Sequence, residues 1–171
     1  YRHLIKNRNN IKNKNNINFN ISYVSAKKLN KKRPIKIPKN KWLKNYKDAY
    51  KKKDIDIIVE LIGGSDGPAK ELVFNSLKNR KHVVTANKAL ISKYGNELAY
   101  IAENKKVNLE FEAAVAGGVP IIRVLKEGLM TNEIKKIYGI LNGTSNYILS
   151  KMSESKMSFS KVLDEAKKLG Y

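Results

Sequence analysis

The 171 residues include 42% hydrophobic and 29% charged side chains, a globular balance with room for one domain and part of another. There are no cysteines, which excludes a disulfide scaffold, a thiolate zinc site and cysteine nucleophilic catalysis. No apolar stretch approaches the length needed for a spanning helix, and His3 and His82 are too far apart to make a metal-ligand pattern.

The net charge of +20 is regional. Residues 1–53 carry 18 Lys and Arg against one acid, Asp48, whereas residues 54–171 carry 17 against 14. Lysine outnumbers arginine 30 to 5, and residues 1–53 hold eleven Asn. Nucleic-acid readers rely on arginine forks and interleaved aromatics. Here Arg2, Arg8 and Arg33 are scattered and the aromatics have no repeated spacing. The basic stretch therefore reads as a solvated surface, with salt-sensitive, non-specific attraction to polyanions and no specific nucleic-acid partner. A basic polyanion-binding module is the alternative from a different function class.

In chain order, residues 1–11 read as the tail of a helix, and residues 18–25 as a strand alternating Phe19, Ile21 and Val24 with polar residues. Residues 27–44, with Pro34 and Pro38, form a basic connection, and residues 42–53 a short helix. Residues 55–62 (IDIIVELI) are an apolar, β-branched run suited to a strand buried in a parallel sheet. GGSDG (63–67) is a turn and Pro68 suits the first position of a helix with Ala69, Leu72, Val73 and Leu77 on one face. Residues 82–86 predict a strand, 89–105 a helix and 107–113 a third strand. This β-α-β-α-β order predicts right-handed crossovers and a doubly wound parallel sheet, with ligands outside the carboxyl ends of the strands. Beyond Gly118, Pro120 opens a helix, residues 133–141 predict a strand, 142–145 a polar loop, and 146–152 and 158–169 two helices. A domain boundary falls near 115–119, dividing the chain into residues 1–115 and 116–171.

Three segments at the expected strand mouths carry chemistry. Gly63-Gly64 lets backbone approach a ligand closely, or is an ordinary turn. Lys88 of TANK (85–88) puts a cation where an anionic substrate or cofactor could meet it, or is a surface lysine. Glu112 followed by AAVAGGVP places one carboxylate beside several carbonyls, a shape for a hard monovalent cation or a ligand amine, or a tight strand-to-helix connection. No GxGxxG occurs in the chain.

Together, VELIGG (59–64), HVVTANKAL (82–90), EAAVAGGVPII (112–122), GILNGTSNYIL (139–149) and FSKVLDEAKKLGY (159–171) resemble homoserine dehydrogenase, particularly its monofunctional branch. The resemblance is strong over residues 55–171 and loose before them. It implies a Rossmann-type α/β domain lacking its first strand, then the start of an α+β catalytic and dimerisation domain. It further implies NAD(P)-dependent interconversion of L-homoserine and L-aspartate 4-semialdehyde in threonine, methionine and isoleucine biosynthesis. The intact protein is expected to be a cytoplasmic homodimer, and this chain an internal fragment inactive alone. By the same resemblance, Lys88 lies where nicotinamide and substrate meet and stabilises charge, the proton-transfer lysine lying outside the chain. Ile62, Gly63 and Gly64 line the cofactor. Glu112, Val115, Gly117 and Val119 hold a monovalent cation of the sodium type. Gly143, Thr144 and Tyr171 border the substrate. Lys27 and Lys28 lie near the adenosine ribose, where lysines in place of an acid favour NADP over NAD. The alternative within enzymes is another Rossmann NADP oxidoreductase acting on a semialdehyde.

Overall fold

The computed structural model describes residues 1–29, 31–117, 119–140 and 143–170. The chain divides into two compact units, residues 1–111 and 112–171.

The first unit begins with two short helices, α1 (Arg2–Lys6) and α2 (Arg8–Asn15), neither of which buries a side chain. The strand expected over 18–25 does not form. A single parallel bridge joins Val24 to Trp42, through Val24 N–H to the Lys41 carbonyl and Leu43 N–H to the Val24 carbonyl. The partner segment is too short for more, because Lys39–Lys41 is already wound into a 3₁₀ turn. The helix expected near 42–53 is a 3₁₀ segment, Tyr46–Lys51.

The sheet then appears where the β-branched runs lie. Strands β1 (Ile57–Glu60), β2 (His82–Thr85) and β3 (Leu109–Glu110) pair in parallel in the order β1-β2-β3, with Ile57 opposite His82 and Val83 opposite Leu109. Helix α3 (Pro68–Lys78) connects the first two and α4 (Lys88–Lys105) the second two. This is the Rossmann-type arrangement the alternation predicts.

The helices pack on each other and on the sheet. Leu77, Leu90, Leu98, Val73 and Val83 are fully enclosed, and Phe74 meets Tyr94 edge to face at 5.8 Å. Each such aliphatic side chain contributes about 1.5–3 kcal/mol by leaving water. Ile57 and Val59 on the other side of β1 are more than half exposed, so the helices cover one face of these strands.

In the second unit, Pro120 precedes a single turn, α5 (Ile121–Arg123), which widens into a π-turn over Val124–Gly128. Residues 133–140 form no strand, and Ile134, Ile137, Tyr138 and Ile140 are exposed. Isoleucine content alone cannot make a strand. A ladder needs a neighbouring strand, and none is found beside it in this unit among the described residues. Gly143 already begins helix α6 (Gly143–Ser155), so the expected polar loop is helical from that residue on. Helix α7 (Phe159–Leu169) follows Ser158 and ends on left-handed Gly170. Ile148 of α6 is buried with Val162 and Ala166 of α7.

Candidate functional site

The carboxyl ends of β1 and β2 are joined by a closed ring of hydrogen bonds. β1 ends in Glu60, fully buried in an otherwise apolar run. Its carboxylate is satisfied by three uncharged donors. Oε1 accepts the backbone N–H groups of Ile62 (2.6 Å) and Gly63 (3.0 Å). Oε2 accepts the Thr85 hydroxyl at 2.5 Å. Thr85 Oγ1 in turn accepts the Asn87 N–H at 3.0 Å. The Asn87 side chain closes the ring, donating from Nδ2 to the Gly64 carbonyl at 2.7 Å. Its Oδ1 accepts the Leu90 N–H at 3.1 Å, making Asn87 the N-cap of α4.

Two consequences follow for the residues singled out in the sequence. Gly63 and Gly64 are held at φ +85° and +79°, which L side chains rarely adopt. A Cβ built on either would meet nothing within 4 Å, so the loop is open to a ligand, and Ile62 beside it is half exposed. Lys88 is exposed at the first position of the eighteen-residue α4. There its charge adds to the positive end of the helix dipole, an arrangement unfavourable to the helix and favourable to an anion.

The far side of the glycine loop is also tied down. Asp66 accepts Lys93 Nζ at 2.9 Å, Tyr94 OH at 2.7 Å and Ser65 Oγ at 2.7 Å. The Lys93 ammonium, followed by the two hydroxyls, holds the Asp66 carboxyl well below the usual carboxylate range. Lys93 is correspondingly raised by Asp66.

Lys27 and Lys28 are exposed and, with Leu29 and Lys31, line a shallow depression. Arg33 organises that segment: its guanidinium donates to the carbonyls of Lys28, Leu29 and Lys31 and lies 4.7 Å from the centre of the Trp42 ring.

In the second unit Glu112 is half buried in a 3₁₀ turn. Its two oxygens accept the N–H groups of Ile122 (3.0 Å) and Arg123 (2.9 Å), so it pins the helical turn after Pro120. Val115 N–H bonds to the Glu112 carbonyl, and the chain turns through left-handed Ala116 and Gly117. The Val119 carbonyl accepts the Ile121 N–H. The residue types here, one carboxylate with backbone carbonyls close in sequence, are oxygen donors of the kind a hard cation takes. Gly143 and Thr144 lie in the first turn of α6. Tyr171 lies outside the described residues.

Comparison with known proteins decides the family. A model described as the homoserine dehydrogenase NAD-binding domain matches residues 4–112, and one described as homoserine dehydrogenase matches residues 120–171. The chain belongs to the homoserine dehydrogenase family. The homoserine dehydrogenase of Neisseria gonorrhoeae is 52% identical over 134 residues, covering 78% of this chain and 31% of that protein. A crystal structure of Staphylococcus aureus homoserine dehydrogenase superposes with a TM-score of 0.75 at 38% identity, covering 99% of this chain and 40% of the other. A hyperthermophilic archaeal homoserine dehydrogenase in complex with NADPH superposes with a TM-score of 0.63 at 32% identity, covering 74% of this chain and 39% of the other. The chain spans about a third of the length of the curated homoserine dehydrogenases it matches.

Sequence reading missed Glu60, Thr85, Asn87 and Asp66. The signals were present: an acid inside an apolar strand, and an Asn directly before a helix.

Proposed function

We propose that these residues form part of a longer homoserine dehydrogenase, a cytoplasmic homodimer that interconverts L-homoserine and L-aspartate 4-semialdehyde on the route to threonine, methionine and isoleucine. The observation that carries this reading is the ring joining the Gly63–Gly64 loop to the start of α4, which brings an open glycine turn and the Lys88 cation to the same end of the sheet. Ligands of such sheets bind at that end.

When bound, the nicotinamide supplies the hydride chemistry. The open backbone over Gly63 and Gly64, beside Ile62, lets a planar ring approach closely. Lys88 stabilises anionic charge on the substrate oxygen or the cofactor, while the proton is moved by a group outside these residues. Lys27 and Lys28 meet the 2′-phosphate of NADP, a preference supported by a relative whose structure holds NADPH. Glu112 and the carbonyls of Val115, Gly117 and Val119 hold a sodium-type cation. Each Glu112 oxygen uses one lone pair on a backbone amide and keeps another. Gly143, Thr144 and Tyr171 border the substrate. On this reading, residues 1–115 belong to the nucleotide-binding domain and 116–171 begin the catalytic domain.

The test is homoserine-dependent formation of NADPH, assayed for the full-length enzyme and for residues 1–171 alone. Turnover by the first and none by the second is expected. No turnover by the full-length protein refutes the assignment.

A further inference from the structure

We propose that Glu60 is a positioning residue that reserves the glycine loop for the ring end of the cofactor and denies it to phosphate. The proposal rests on the reading that Ile62–Gly64 line a nicotinamide cofactor, and it names what sets the shape of that wall.

A carboxylate inside a buried strand is costly unless donors surround it. Glu60 has three, and two are the backbone N–H groups of Ile62 and Gly63. A glycine turn at the mouth of a strand ordinarily binds phosphate through such N–H groups. Here the two are turned inward onto Glu60 and are unavailable to an anion. The buried negative charge further disfavours phosphate above the loop. What the loop still offers is bare backbone at Gly63 and Gly64, with open space where a side chain would stand. That surface suits a flat ring that is neutral when reduced and cationic when oxidised. The same carboxylate acts through Thr85 on Asn87, and Asn87 grips the Gly64 carbonyl and caps the helix that starts at Lys88. One buried group thus fixes the loop and the first turn of α4 relative to each other.

The experiment compares Glu60→Asp, which is one methylene too short to reach, with Glu60→Gln, which keeps the length and an acceptor for the two amides. Amide hydrogen exchange is read at Ile62 and Gly63 in residues 1–171. Binding of NADPH and of adenosine 2′,5′-bisphosphate, the half of NADP without the ring, is read in the full-length enzyme. Glu60→Asp is expected to speed exchange at both amides at least tenfold and to weaken NADPH at least tenfold, with the adenosine half changed less than twofold. Glu60→Gln should recover most of both losses. If Glu60→Asp does not fold, Thr85→Val, which removes the third donor, should show the same pattern at smaller amplitude. Unchanged exchange, or an equal loss for NADPH and its adenosine half, overturns the proposal. Failure of the unsubstituted enzyme to bind NADPH overturns instead the cofactor reading beneath it.

Discussion

Replacing Lys88 by alanine separates a lysine kept for the helix from one kept for a ligand. Lys88 is exposed at the first position of α4, where the dipole of an eighteen-residue helix presents its positive end. A cation there opposes the dipole by about 0.3–1 kcal/mol at low salt. Alanine is also the better helix former. Truncation should therefore leave stability unchanged or raise it, by at most ~4 °C in melting temperature for a chain of this size. Activity should move the other way. A hydrogen bond to a charged group contributes about 1.5–3 kcal/mol, which at about 1.36 kcal/mol per decade is roughly a 10- to 150-fold loss in turnover. The assay pairs thermal melts of residues 1–171 with homoserine oxidation by the full-length enzyme. Activity within about threefold of the parent, or a melting temperature lowered by more than ~2 °C, refutes the reasoning, because the lysine would then be ornamental or structural.

Thr85→Val should cost about 1–3 kcal/mol, since it leaves the Asn87 N–H without its acceptor and Glu60 Oε2 without its donor in a buried site; denaturant unfolding measures it. Asn87→Ala should cost about 0.5–2 kcal/mol through the lost cap and should also free the Gly64 carbonyl. The Asp66 carboxyl is depressed in the folded chain, so its contribution is complete above the unfolded value of about 4 and is lost as pH falls toward the lower folded value. The stability difference between the parent and Asp66→Asn should accordingly be flat above pH ~5 and shrink below ~4; a difference constant down to pH ~2 would show that the Lys93 and Tyr94 contacts do not form. Exchange of sodium for a bulky organic cation at constant ionic strength should lower the activity or melting temperature of the full-length enzyme, and Glu112→Gln should abolish that response.

The elements readable in the sequence were those marked by consecutive apolar residues or by local start signals, although β1 is buried on one face only and leaves Ile57 and Val59 exposed. IDIIVELI and HVVTA contain the β-branched runs that became β1 and β2, and the helices expected from Pro68 and over 89–105 begin within a residue of expectation. The failures share a physical cause. Residues 18–25 alternate as strands do and 133–140 are rich in isoleucine, but such patterns record only residue preference; whether a ladder forms depends on a partner elsewhere in the chain. β3 is cut to Leu109–Glu110 because the backbone is drawn into a 3₁₀ turn at Glu112, whose carboxylate holds amides ten and eleven residues onward. Residue type singled out Gly63, Gly64 and Lys88, and the structure places all three just past the carboxyl ends of β1 and β2. Glu60 was not, because its role depends on a hydroxyl twenty-five residues away.

Glu60 and Glu112 show why residue type alone does not assign a carboxylate. Both stand at or near strand ends, and both accept two backbone N–H groups from the segment that follows. They differ in what remains. A carboxylate has about four lone-pair directions. Glu60 spends three on two amides and a hydroxyl and is sealed from solvent, so an ion could reach it only by displacing a donor that holds the loop. Glu112 spends two, one on each oxygen, and stays partly open to solvent beside a turn of small residues. A cation there, as proposed above, would add to the existing contacts without breaking them, because each oxygen is engaged by one backbone amide, Ile122 or Arg123. The grip that makes Glu112 structural is therefore compatible with ion binding, whereas the grip on Glu60 confines that residue to shaping the loop above it.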